Sequence, residues 1–132
     1  MVSFTFKKAE RLCSKTLIDN LFSKGNRVTT QFPFRVIWQF VPEDSFASRA
    51  QVLVSVPKKG FPNATDRNRI KRQIRELYRM HKHLLYDKLS QSGKKTVIAI
   101  NFQGKARLTY QELGPAFEKL FIKLLQQIEQ DS

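Results

Sequence analysis

The sequence predicts an α+β fold, a two-layer sandwich whose elements run helix, strands, helix, strand, helix. Three observations carry that prediction. Apolar residues alternate from Phe32 to Val41, a helical pattern runs from Thr65 to about Leu89, and a second amphipathic stripe closes the chain. With 132 residues, 41% of them apolar, one domain spanning 1–132 is expected, built on a modest core.

Taken in order, a short first helix is predicted from Ser14 to Lys24, because Leu17, Ile18, Leu21 and Phe22 recur at helical spacing. Ser14 suits its N-cap and Gly25 its C-terminal turn. The next region is strand-like. Phe32, Phe34, Val36, Trp38 and Phe40 alternate with Pro33, Arg35, Ile37, Gln39 and Val41, and Pro33 weakens only the beginning. If the aromatic set is core, then Arg35, Ile37 and Gln39 face the other way; a one-residue shift inverts that assignment. Pro42-Glu43-Asp44-Ser45 is turn chemistry, and Gln51–Val56 alternates again with Val52, Val54 and Val56 on one side.

Pro57 to Asn63 reads as a loop. A helix follows, with Thr65 or Asp66 as N-cap, and Ser90-Gln91-Ser92-Gly93 ends it. At ~100° per residue, Ile70, Ile74, Leu77 and Leu84 fall together on one edge of this helix. Thr96–Phe102, with its Val97-Ile98-Ala99-Ile100 run, suits a central buried strand. The last helix carries Phe117, Leu120, Phe121, Leu124, Leu125 and Ile128. Thr109 with Glu112 offers a capping box, while Gly114-Pro115 offers a later start; the sequence leaves both open.

Charge points to the partner. The chain has 24 Lys+Arg against 11 Asp+Glu, a formal charge of +13. Between Lys58 and Lys82 there are nine bases and two acids, whereas from Glu112 onward acids outnumber bases. Asn68, Lys71, Arg72, Arg75 and Arg79 gather beside the apolar edge of the central helix, and Glu76 is the only acid between Arg67 and Asp87. A face needing only solubility would interleave acids at i,i+4. A focused cationic surface on a rigid element fits a phosphate backbone instead.

Other chemistries find less support. His81 and His83 diverge by ~200° on a helix and cannot share an ion. The acids are scattered, the five glycines do not cluster, and Cys13 is read as a small packed hydrophobe. No catalytic or metal residues are therefore expected. No stretch approaches the ~18 apolar residues of a membrane span. The first residues lack a signal-peptide pattern, and a lone cysteine suits a reducing, cytoplasmic compartment.

Val54-Ser55-Val56-Pro57-Lys58-Lys59, followed by Asn63-Ala64 and Arg67-Asn68-Arg69-Ile70-Lys71-Arg72-Gln73-Ile74-Arg75-Glu76, resembles the bacterial ribonuclease P protein component. Arg11-Leu12 and the Phe22-x-x-Gly25 ending resemble that family's first helix, so the likeness covers essentially the whole chain. The resemblance implies a helix-strand-strand-strand-helix-strand-helix order with a left-handed crossover, the ribosomal-protein-S5-domain-2-like fold, against the usual right-handed rule. It implies a monomeric protein in a one-to-one complex with ribonuclease P RNA, binding the 5′ leader of precursor tRNA and assisting its endonucleolytic removal. Catalysis would rest with the RNA and its Mg²⁺, none of it held by the protein alone.

Carried over, the RNA-binding set is Lys58, Lys59, Arg67, Asn68, Arg69, Lys71, Arg72, Arg75 and Arg79. Arg67 and Arg69 diverge from the common face, so one of them is a candidate for a structural role. The leader-binding groove would use Ile18, Phe22, Arg35 and Ile37, with Ile18 standing where relatives often have an aromatic. The loop Gly60-Phe61-Pro62 is one residue longer than the family spacing. The competing reading is a structural, ribosomal-type RNA-binding protein with no processing role. A DNA-binding module is weaker, since no helix-turn-helix spacing surrounds Arg67–Arg79.

Overall fold

A computed structural model describes residues 8–23, 26–105 and 108–131. Gly25, the expected end of the first helix, and Lys24 before it lie outside the described residues. A 3₁₀ turn at Lys8–Glu10 precedes α1 (Lys15–Ser23), β1 (Arg27–Gln31), β2 (Phe34–Val41), β3 (Ala50–Ser55), α2 (Ala64–Ser92), β4 (Lys95–Phe102) and α3 (Tyr110–Asp131). The element order is the one expected. Among the described residues no helix is long and apolar enough to cross a membrane.

The four strands form one sheet in the order β1-β2-β4-β3. β1 and β2 pair antiparallel, as do β2 and β4, while β3 lies parallel to β4. A parallel neighbour needs a crossover, and α2 supplies it. Strand alternation sends Phe34, Val36 and Trp38 of β2, with Ile98, Ile100 and Phe102 of β4, into the main core. There they meet Ile70, Ile74, Leu77, Tyr78, Leu85 and Leu89 of α2 and the stripe of α3 from Leu113 to Ile128. On the opposite side of the sheet a smaller cluster of Leu12, Leu21, Ile37, Val97 and Ala99 lies under α1.

One side chain of α3 serves two buried polar groups of the sheet. Gln127 of α3 accepts from the indole N–H of Trp38 at 3.0 Å and from the hydroxyl of Thr29. Its amide donates to the Val28 carbonyl, and Lys123 donates to that of Thr30 at 3.1 Å. α3 thereby covers backbone acceptors of the edge strand β1.

Several local expectations change. β1 was not evident from its residues, because Arg27-Val28-Thr29-Thr30-Gln31 has no apolar alternation; pairing with β2 makes it a strand. Phe32 is 71% exposed at the turn between β1 and β2, outside the core. Leu84 is 43% exposed, since the buried face of α2 rotates through Tyr78, Lys82 and Leu85. The N-cap of α2 is Asn63, whose side chain accepts from the Thr65 N–H, so the helix starts earlier than Thr65 or Asp66 allow. At its far end Gly93 adopts φ 69°, a left-handed cap. For α3 the capping box prevails. Thr109 N–H donates to the Glu112 carboxylate, the Glu112 N–H returns to Thr109 Oγ1, both at 3.1 Å, and Pro115 lies inside the helix.

Candidate nucleic-acid interface

The rotation of α2 is fixed by Ile70, Ile74, Leu77 and Tyr78, all buried against the sheet and α3. That lock turns Asn68, Arg72, Arg75 and Arg79 to another side, where they line one recess of about 340 Å³ with Arg11 and Glu76. Four of the nine residues expected to meet RNA therefore converge on a single concavity. The fifth wall, Arg11, arrives from the segment before α1.

Charge in the recess is poorly balanced. Arg79 is bound to Glu76, 2.6 Å from Nη2 to Oε1 and 3.0 Å from Nε to Oε2. This hydrogen-bonded pairing holds the Glu76 carboxyl below its usual range. The guanidiniums are thus less uniformly uncompensated than the sequence suggested. Among the described residues, however, neither Arg72 nor Arg75 makes an ion pair. Arg75 has its pKa lowered by partial burial and then by the nearby Arg11 charge. Both causes disfavour a cation, and an anion placed between the guanidiniums would screen their repulsion and offset the cost of burial.

The remaining members separate. Lys58 and Lys59 are exposed in the turn after β3 and do not line the recess. Arg69 is exposed and Lys71 half-buried on other parts of the α2 surface. Arg67 is half-buried, and its Nη1 donates to the carbonyls of Phe61 at 2.7 Å and Pro62 at 2.8 Å. Arg67 thus seats the loop before α2, the structural role the sequence left open for it or Arg69.

Beneath α1 the expected groove also changes. Phe22 is 46% exposed and Ile18 half-buried, whereas Ile37 is only 5% exposed, packed with Leu12, Leu21, Val97 and Ala99. Ile37 is floor beneath α1, not an accessible groove residue. Register shows what lies beside it. Arg35 pairs with Thr30 and Asn101, and Asn101 pairs with Ser55, so these four form a polar row on the α1 side of the sheet. The Ser55 hydroxyl donates to the Asn101 side chain, and Val28, on the next rung with Ile37, is 42% exposed. Of this row the sequence reading included only Arg35. Polar residues at the ends of the apolar runs 50–55 and 95–102 were the available signal for Ser55 and Asn101; Arg11 was marked only by the Arg11-Leu12 likeness, not as part of the cationic site.

The remaining sites are quiet. His81 is bonded through Nδ1 to the Leu77 carbonyl at 2.8 Å and packs on Phe117 and Phe121. Cys13 is exposed, contrary to its expected packing as a core hydrophobe, because it lies between buried Leu12 and the start of α1. Among the described residues no group of three or more His, Cys, Asp or Glu comes together as a metal cage.

Comparison with known proteins decides the family. The family model "Ribonuclease P" matches residues 6–125. The chain belongs to the ribonuclease P protein family. It is 34% identical over 122 residues to the ribonuclease P protein component of Porphyromonas gingivalis, covering 92% of this chain and 88% of that protein. It is 37% identical over 123 residues to the ribonuclease P protein component of Petrotoga mobilis, covering 91% and 95%. Family membership implies one subunit of an endoribonuclease holoenzyme, partnered by ribonuclease P RNA and a tRNA substrate. The fold is that of a Staphylococcus aureus RNase P protein mutant, with a TM-score of 0.69 at 23% identity over 89% of each chain. The RNase P protein of Thermotoga maritima superposes with a TM-score of 0.59 at 19% identity over 89% of this chain and 96% of that one.

Proposed function

We propose that this chain binds the catalytic RNA of ribonuclease P through the recess on α2 and the 5′ leader of precursor tRNA along the α1 side of the sheet. In that role it assists endonucleolytic release of the leader, leaving the mature tRNA 5′ end. The observation that carries the reading is the convergence of Asn68, Arg72, Arg75 and Arg79 on one recess in which Arg72 and Arg75 lack ion-pair partners among the described residues. Each phosphate neutralised there releases condensed counterions, so affinity is bought with salt sensitivity. Lys71, Arg69, Lys58 and Lys59 would extend the positive field around it.

Phe22 and Val28 offer exposed apolar surface beside the polar row of Thr30, Arg35, Asn101 and Ser55. A single strand needs both kinds of contact: an aromatic face for a base and donors for its backbone. Ile18 contributes a smoother wall than an aromatic would.

The α2 recess does not suit protein-bound Mg²⁺. That ion prefers carboxylate and water oxygens, and the one carboxylate lining the recess among the described residues, Glu76, is held by Arg79. In this reading the metal resides with the RNA, and the protein's work is electrostatic and steric. The test is affinity of the protein–RNA complex for precursor and mature tRNA. Tighter binding of the precursor, reduced by Phe22→Ala, is expected. Equal affinity for both would refute leader binding and favour a purely structural RNA-binding role.

A further inference from the structure

The segment before α1 carries a buried ion pair that the RNA-binding recess does not itself use. Glu10 and Lys82 are both almost fully buried. Lys82 Nζ donates to both Glu10 oxygens at 2.8 Å, and the Tyr86 hydroxyl donates to Glu10 Oε2 at 2.5 Å. All three partners are thus drawn into one contact between a three-residue 3₁₀ turn and the flank of α2.

A buried pair of this kind is weak evidence for stability, because desolvation offsets much of its attraction. Geometry is what it fixes best. The next residue but one, Leu12, is buried under α1, and its N–H donates to the Val52 carbonyl at 2.9 Å. Arg11 itself bridges to Val52 alongside β3. It is therefore pinned on both sides, with Glu10 turned in toward α2 and Leu12 turned in toward the sheet. Its side chain is left to the recess that Arg72 and Arg75 line. Partial burial first, and then the charge of Arg11 beside it, lower the pKa of Arg75.

We infer that Glu10 is a positioning residue, whose clamp on Lys82 and Tyr86 holds Arg11 in the α2 recess as a phosphate-contacting member of the RNA-binding site. This rests on the reading of that recess as an RNA surface. It makes a counterintuitive demand. Neutralising an acid in a strongly cationic protein should strengthen RNA binding through the general field. Here it should weaken it, because the loss of Glu10 releases Arg11.

The experiment measures affinity for a bacterial ribonuclease P RNA transcript against salt, for the full-length protein and the variants Arg72→Ala, Arg11→Ala, Glu10→Gln and Glu10→Gln/Arg11→Ala. Folding is followed by circular dichroism. Arg11→Ala should stay folded and lose about one unit of log–log salt slope. Glu10→Gln should lose slope as well, and the double variant should bind no more weakly than Arg11→Ala alone. A folded Glu10→Gln protein that binds as tightly as the parent or tighter would overturn the inference, as would additive losses in the double variant. If Arg11→Ala keeps the parent slope while Arg72→Ala loses it, the inference fails alone. If Arg72→Ala also keeps it, the reading of the recess fails. Should Glu10→Gln not fold, Tyr86→Phe replaces it, removing one bond and keeping the ion pair. A reduced slope then supports the clamp, and an unchanged one overturns it.

Discussion

Replacing Arg72 and Arg75 together by alanine isolates the electrostatic part of RNA binding. Neither side chain belongs to the core, and neither makes an ion pair among the described residues, so the fold should survive with little change. Arg75 is the more embedded of the two, yet its removal also relieves repulsion with Arg11. Surface changes of this sort are within about 0.5 kcal/mol each. If each guanidinium contacts one phosphate, the salt slope should fall by ~0.9 per contact on duplex RNA-like helices or ~0.7 on single strands. For two contacts, raising salt from about 50 to about 200 mM should weaken the variant ~7–12-fold less than it weakens the parent protein. The assay is a filter-binding or fluorescence titration with ribonuclease P RNA across that range. Lys119→Ala, on the exposed side of α3, is the control and should leave the slope unchanged. A parent-like slope in Arg72→Ala/Arg75→Ala, with the fold intact, would refute the assignment of this recess to phosphates.

Four further outcomes follow from the packing. Phe22→Ala should reduce discrimination for precursor tRNA with little loss of stability, since the ring is 46% exposed; Ile37→Ala, in the closed cluster under α1, should instead cost ~2–5 kcal/mol in urea denaturation. Gln127→Ala should cost about 2 kcal/mol or more, because it strands the buried Trp38 indole N–H and the Thr29 hydroxyl. Alkaline pH should destabilise the protein. Burial chiefly raises the pKa of both Tyr78 and Tyr86 above the ordinary tyrosine value of 10.0, so the unfolded chain loses those protons first. Their contribution is whole below about pH 10 and declines as pH rises beyond it. Denaturation midpoints across that range should fall less steeply in Tyr86→Phe than in the parent, and identical pH profiles would contradict the argument.

The parts legible in the sequence were those whose pattern is local. α2 could be read because Ile70, Ile74 and Leu77 repeat at helical spacing beside a contiguous run of bases. Asn68, Lys71, Arg72, Arg75 and Arg79 then fell together on a wheel, and the fold keeps all of them but Lys71 in the recess. β2 was legible from alternation, but the pattern left its side open to a one-residue shift; Phe34, Val36 and Trp38 take the core and Phe32 of the same set does not. β1 was not, since Thr29 and Thr30 gain their strand conformation from pairing with Val36 and Arg35. The residues missed at the site are the non-local ones. Arg11 lies beside α2 in a segment that meets it where Glu10 meets Lys82, far away in the chain, and Ser55 joins Asn101 only through the parallel register of β3 and β4. Ile37 was placed on the correct side of the sheet, but a wheel or alternation pattern cannot show that α1 closes over it. Arg67 matched the motif while its guanidinium was needed by the loop carbonyls of Phe61 and Pro62.

The central claim is tested most directly by mixing the purified protein with a bacterial ribonuclease P RNA and labelled precursor tRNA, at physiological salt and low Mg²⁺. The account predicts cleavage at the mature 5′ end that depends on both protein and RNA. Tight RNA binding without protein-dependent cleavage, while a known protein component is active in parallel, would contradict it.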